Sequence, residues 1–233
     1  MTDDELMQRL QDGLPEVLAR LKKSHFVRYS FLRERLSSSD ITNDRDFQRT
    51  FNGLYQVRKR SAEWKATYYD LMERSKLNSE LNFASTLNEL YALTRRIEAS
   101  FASKLVAIIN PNSAVYDSVV SQNLCFTPPR QHHLKEQRLR DFVILYERLT
   151  ERMNRLTRHR SFGAMSDSLE QAFPGYGITP IRRLDLLLWQ FRPCQHPQRL
   201  TMRCSEPLRP SRHLLPPPPF RPPCRCRAAL RGR

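Results

Sequence analysis

Glycine is scarce in this 233-residue chain: there are six, and none lies between Gly53 and Gly163. That stretch cannot form a P-loop or a dinucleotide-binding loop, because both need glycine where backbone approaches phosphate closely. Phosphate contacts there must come from helix N-termini, lysine and arginine. No G-x-S-x-G elbow and no zinc-ligand pattern occurs. No apolar run approaches the roughly 18 residues of a membrane span, although 39% of the residues are hydrophobic, so no membrane partner is expected. The opening "MTDDELMQRL" is acidic and amphipathic, unlike a secretion signal or a transit peptide. An intracellular protein is expected, cytoplasmic, or in the nucleoid or nucleus if it binds DNA. Strand-type alternation and internal repeats are also missing.

Negative charge is in short supply. Against 24 Asp and Glu stand 39 Lys and Arg, a formal +15, which points to a polyanionic partner and to DNA first. The excess is unevenly spread. Residues 193–233 carry nine arginines and one acid, Glu206, a net +8; residues 1–192 keep 30 Lys and Arg against 23 acids, a net +7.

Composition changes after "LDLLLWQFR". The last 41 residues hold 10 of the 16 prolines and four of the five cysteines, and no Lys, Asn, Ile, Val, Asp, Tyr or Trp. With "LLPPPPFRPP" in its middle and no β-branched aliphatic residue, this stretch cannot bury a core and is expected to be a disordered, non-globular tail. Three readings apply to it. It binds polyproline readers or nucleic acid; it holds a metal through Cys194, His196, Cys204, His213, Cys224 and Cys226; or it is GC-rich DNA read out of frame. The lack of a C-x-x-C pair counts against the metal, and the third is favoured because Arg, Pro, Cys, Leu and Ala without Lys, Asn, Ile or Tyr is how GC-rich DNA reads in the wrong frame. No metal site and no cofactor are assigned anywhere in the chain.

Residues 1–192 read as one all-α domain of about seven to nine helices. Thr2 and Glu5 form a capping box, followed by Leu6, Leu10, Leu14, Leu18 and Leu21 at helical spacing, with Pro15 splitting or bending that helix. "SSSDITND" reads as a linker. Phe47, Phe51, Leu54 and Tyr55 trace a second helix; Ser61 caps a third, with Trp64, Tyr68, Leu71 and Met72. Ser79 opens a fourth with Phe83, Leu87 and Leu90. Ile97, Phe101, Leu105, Ile108 and Ile109 mark a fifth, stopped by Pro111. A short helix over about 113–124 carries Asp117, a long one runs over 134–158, and Thr179-Pro180 caps the last. Cys125 reads as a small buried residue in a reducing compartment. His132 and His133 lie in a loop without partner ligands.

The stretch "LTRRIEASFASKLVAIINPNSAVYDSVVSQNL" resembles the core of the helix-hairpin-helix DNA glycosylase superfamily. There an L-P-G-V-G turn leads into a helix, a proline-containing loop, then V-D-T-H-V and R-L-G-L. On residues 91–124, Leu93-Thr94-Arg95-Arg96-Ile97 stands at the hairpin, Ala99 to Ile109 is its second helix, Val115-Tyr116-Asp117-Ser118-Val119-Val120 matches the aspartate segment and Gln122-Asn123-Leu124 starts the next helix. The resemblance implies a glycosylase-like all-α fold, DNA binding and excision of a damaged base, with Asp117 as the catalytic carboxylate beside the developing sugar cation. The target nucleotide would be flipped out and its base held by aromatic side chains, for which Trp64, Tyr68 and Tyr69 are the candidates, core packing being their alternative role.

Arg95 and Arg96 occupy the ground of both hairpin glycines, so phosphate would be met by side chains. No lysine falls at Glu98 to Ser100, where the lyase-competent branch has one, which implies a monofunctional enzyme. Arg95, Arg96, Lys104, Arg58 and Lys59 are the candidate DNA contacts; for Arg58-Lys59-Arg60 a helix C-terminal charge cluster is the other reading. The alternative for the whole is a non-catalytic helical module binding DNA or protein, with Asp117 a structural helix-start residue. Because residues 193–233 cannot contribute a core, a chain ending at Arg192 is expected to be at least as stable and soluble as the full one. Thermal denaturation of the two checks this; a clear drop in midpoint on truncation would show the tail to be part of the fold.

Overall fold

Six of the eleven helices begin where a short polar side chain takes up a free N–H group of the first turn. In the computed structural model, which describes residues 1–57, 59–131 and 134–192, Thr2 and Glu5 close the capping box of α1 (Asp3–Asp12). The N–H of Gly13 bonds to Arg9 O and ends the helix. A Cβ at Gly13 would lie 3.2 Å from the Phe191 ring, so a larger residue there would have to push the ring back by a few tenths of an ångström. Pro15 then sits at the start of a separate helix, α2 (Leu14–Arg20), and does not bend a single one.

α3 (Lys23–Ser38) was not anticipated. Its buried residues are Phe26, Tyr29, Leu32 and Leu36, a narrow stripe among arginines and serines. The stretch "SSSDITND" is not a free linker. Ser37 and Ser38 finish α3, Ile41 is fully buried with its N–H on Glu73 Oε2 at 3.0 Å, and Asp44 caps α4 (Arg45–Leu54). Asp44 Oδ1 accepts from the N–H groups of Asp46 (3.1 Å) and Phe47 (2.9 Å), while Oδ2 takes Arg35 Nε and Ser39 Oγ, each at 2.8 Å.

α5 (Ala62–Ser75) starts at Ser61 as expected, and α6 (Phe83–Thr94) starts at Asn82, three residues beyond the expected Ser79. Residues 95–98 turn the chain into α7 (Ala99–Ile109), which packs against α6 as a helical hairpin. α8 (Ser118–Asn123) is shorter than expected because residues 110–117 are extended and turn structure. α9 (Lys135–Thr157) is the longest; α10 (Phe162–Ala172) was not anticipated; α11 (Pro180–Gln190) is capped by Thr179. These eleven helices are the regular structure of the described residues, which form one compact all-α unit. None is long and apolar enough to cross a membrane.

α11 is enclosed, with α2, α8, α9 and α10 packed around it. Leu184, Leu187 and Leu188 have no exposed surface, each contributing about 1.5–3 kcal/mol by burial. Asn123 at the end of α8 donates to the carbonyls of Leu188 (2.7 Å) and Phe191 (3.2 Å), which α11 leaves unpaired at its C-terminus. Cys125 is exposed, not buried; its backbone is left-handed (φ 57°), which turns the side chain out just past α8. Arg58, His132, His133 and the expectations for the Pro/Arg-rich tail lie outside the described residues.

Burial opposes ionisation of Asp44, but the hydrogen bonds from Arg35, the Phe47 N–H and Ser39 win and hold its pKa at about 2 against an ordinary 3.8. Its contribution to stability is therefore complete above about pH 4 and is lost as pH falls toward 2. Asp44→Ala is expected to cost about 1–2 kcal/mol at neutral pH, the worth of a helix cap. Urea denaturation across pH should show the difference from wild type narrowing below about pH 4.

Candidate functional site

The segment that presents Asp117 is tied to three helices before α8 begins. Pro111 O accepts from Thr179 Oγ1 (2.6 Å), Ala114 O from Tyr146 Oη (2.8 Å), and the Tyr116 N–H donates to Ser103 Oγ (2.9 Å). Asp117 follows as the N-cap of α8, its Oδ1 accepting the Val119 N–H at 2.8 Å. The carboxylate is half-buried and forms part of the wall of a cavity of about 140 Å³.

The other polar walls of this cavity are His25, Tyr55, Gln56, Lys104, Arg182 and Asp185. Trp189, Leu186, Val115 and Leu54 supply the apolar side. Lys104 projects from α7 and donates from Nζ to Tyr55 O at 3.2 Å, with the ammonium 5.2 Å from the Phe101 ring centre. Arg182 and Asp185, one turn apart on α11, form an ion pair whose two side chains are at most 10% exposed. The guanidinium lies 5.1 Å from the Tyr29 ring centre and 5.8 Å from that of Tyr55. Those two hydroxyls and Arg182 Nε are buried without hydrogen-bond partners, so ring faces and not hydroxyls meet the cation.

These charges act on one another. Burial lowers the pKa of the Lys104 ammonium, opposed by Asp117 and Asp185 and aided by Arg182. Burial also pushes Asp185 up to about 6, which Arg182 and Lys104 resist and Asp117 reinforces. Between about pH 4 and pH 6 the folded chain thus holds a proton here that the unfolded chain has released. This group's contribution to stability declines as pH rises through that window. Burial lowers His25 as well, followed by Arg28, Lys22 and Arg182, which favours a neutral imidazole at the cavity wall. Two carboxylates and two cations thus share a small, partly dry space.

Of the sequence-based candidates among the described residues, only Asp117 and Lys104 meet here. Lys104 is 9% exposed and cannot be a surface contact to DNA; its chain is drawn inward along α7, where the ammonium finds a carbonyl and the cavity carboxylates. Trp64, Tyr68 and Tyr69 do not line this cavity and are no open base pocket. Tyr68 and Tyr69 are 1% and 2% exposed, with their hydroxyls bonded to Phe101 O (2.9 Å) and Asn52 Oδ1 (2.9 Å), and Trp64 stacks on Tyr68 at 5.0 Å. Helical spacing put these rings on the apolar face of α5, and that face is core. Arg95, Arg96 and Lys59 are exposed, away from the Asp117 cavity.

Arg95 ends α6 in the left-handed conformation (φ 57°), the geometry that glycine adopts most easily, so the turn forms at this position without one. Sequence reading missed His25, Tyr55, Arg182 and Asp185. The signal for the last two was an arginine and an aspartate three apart inside "IRRLDLLLWQ", where an amphipathic helix of this leucine content would bury both. No group of three His, Cys, Asp or Glu arranged to hold a metal occurs among the described residues. Comparison with family models, with curated proteins and with solved structures finds no match to this chain.

Removing one member of the buried pair strands the other. Arg182→Met alone or Asp185→Leu alone is expected to cost about 3–5 kcal/mol, and the two together much less than their sum. A double-mutant cycle by denaturant unfolding reads this directly; additive losses would show that the pair is not compensated as a unit.

Proposed function

We propose that the chain binds DNA and excises a damaged base as a monofunctional glycosylase, with Asp117 as its catalytic carboxylate. The observation that supports this most is the position of Asp117: at a helix start, on the wall of a polar cavity, behind a helical hairpin whose turn exposes Arg95 and Arg96. Cleavage of an N-glycosidic bond leaves positive charge on the sugar, and a carboxylate held by a helix N–H can stabilise that charge or orient the attacking water. Water adds to the anomeric carbon, the bond electrons leave with the base, and the base takes up a proton. The exposed arginines and Lys59 are suited to phosphate, and the net charge of +15 favours a polyanion.

The second reading is a helical module that binds DNA or protein without chemistry. Its support is equally specific: Asp117 Oδ1 already accepts from its own helix, and the cavity is not rimmed by the hairpin arginines. Excess protein incubated with labelled duplexes, each carrying uracil, 8-oxoguanine, hypoxanthine or an alkylated purine, separates the two. Alkali-revealed strand breaks are expected for one lesion class with wild type and to fall by about 10²-fold or more with Asp117→Asn. Binding without breaks on every duplex would establish the non-catalytic module; breaks unaffected by Asp117→Asn would remove Asp117 from the chemistry.

A further inference from the structure

The Asp117 cavity sets a size limit on whatever enters it. Its volume is about 140 Å³, and a cavity of about 150 Å³ takes one benzene ring. A single-ring base fits; the fused rings of a purine do not. The walls are graded in depth. Asp117, His25, Trp189 and Leu54 are partly exposed and stand at the opening, whereas Lys104, Arg182 and Asp185 are buried at the far end. A nucleotide that enters keeps its sugar level with Asp117 and passes its base between the apolar walls to the charged end. We infer that this cavity admits a uracil-type pyrimidine, one ring with two carbonyl groups, and that Lys104 and His25 hold it by those oxygens. The inference rests on the base-excision reading above and adds to it the class of base and the residues that select it.

The polar groups that the fold leaves unused suit the edge of such a ring. An ammonium has three N–H groups, and Lys104 gives one to Tyr55 O at 3.2 Å. The other two belong to a side chain on the cavity wall that is only 9% exposed. His25 Nδ1 accepts the Lys22 N–H at 3.2 Å, so the neutral ring carries its proton on Nε2, the edge turned away from the backbone. Trp189 meets this imidazole edge-on, with 5.4 Å between ring centres at 78°, and fixes its plane. Asp185 gives Oδ2 to Arg182 and retains Oδ1 as an acceptor. Two donors and one acceptor match the two carbonyl oxygens of a uracil-type base and the ring N–H between them. Cytosine carries an amino group and a bare ring nitrogen there, so donor would meet donor and acceptor would meet acceptor.

The same ammonium fits the chemistry of departure. Water forms the new C–O bond at the anomeric carbon and loses a proton, while the electrons of the breaking C–N bond go to the base. A uracil-type ring spreads them over its carbonyl oxygens, where Lys104 meets the negative charge. The proton ends on the ring nitrogen that held the sugar. Asp117 thus faces the positive sugar and Lys104 the negative base.

The test uses the full chain in excess over duplexes that each carry one uracil, 5-fluorouracil, hypoxanthine or 8-oxoguanine. The two pyrimidines are expected to be released, 5-fluorouracil faster because its anion is the better leaving group, and the purines to stay in place. Lys104→Met should slow uracil release by about 10-fold or more and 5-fluorouracil release less, since the better leaving group needs the cation less. His25→Leu should slow both by about 10-fold, and His25→Gln, which restores a donor, should recover part of that loss. Equal slowing of both pyrimidines by Lys104→Met, or no rescue by His25→Gln, would remove that residue from base selection. Release of a purine at a rate comparable to uracil would overturn the class of base and leave base excision standing. If no duplex is cut, equilibrium dialysis of the full chain against labelled free uracil and labelled hypoxanthine separates the two readings. Saturable binding of uracil alone, lost in Lys104→Met, keeps the ligand class and removes the excision. Binding of neither overturns both.

Discussion

A guanidinium nearly cut off from water has to find its compensation in protein, and Arg182 imposes that condition on the centre of this molecule. Asp185 answers the charge one turn along α11, and the faces of Tyr29 and Tyr55 cover the rest. α3 brings Tyr29 and the end of α4 brings Tyr55 to this guanidinium, and α8 packs against the same helix α11. The cavity that contains Asp117 is what remains where these elements meet. Its polarity follows from one buried arginine and the groups needed to hold it, and Lys104 adds a second cation from α7.

The same economy of elements governs the basic side. One link, between α4 and α5, turns twice through left-handed backbone at Gln56 and Lys59, conformations that non-glycine residues rarely adopt. The first turn leaves Gln56 at the cavity, and the second leaves Lys59 on the surface beside Arg60 and Arg96. Arg95 does the same on the hairpin. A chain with so few glycines in its middle therefore places Gln56, Lys59, Arg95 and Cys125 where glycine would relieve strain. Of these positions, Gln56 lies at the Asp117 cavity.

How much of this could be read in the sequence depended on range. Caps and helix bodies governed by neighbours along the chain were legible: Thr2 and Ser61 as caps, Thr179-Pro180 as a start, and Ala99 to Ile109 as one helix. α3 and α10 escaped because their apolar stripes are thin and interrupted, and only packing against other helices makes them stable. The aromatic residues of α5 showed their face but not their surroundings, since periodicity cannot distinguish a core from the wall of a pocket. Asp117 was legible as a helix-start acid, whereas its neighbours Asp185, Arg182 and His25 come from more than sixty residues away on either side and left no local trace.

The double hydrogen bond from Asn123 to Leu188 O and Phe191 O has a dynamic consequence. α8 has six residues, too few to persist on its own propensity, and it is held at one end by the Asp117 cap and at the other by the carbonyls of α11. When the last turn of α11 frays, it releases Asn123, and α8 loses its anchor in the same event. The end of α11 and the end of α8 are thus coupled, and the hold on the helix that Asp117 starts depends in part on the last carbonyls of α11.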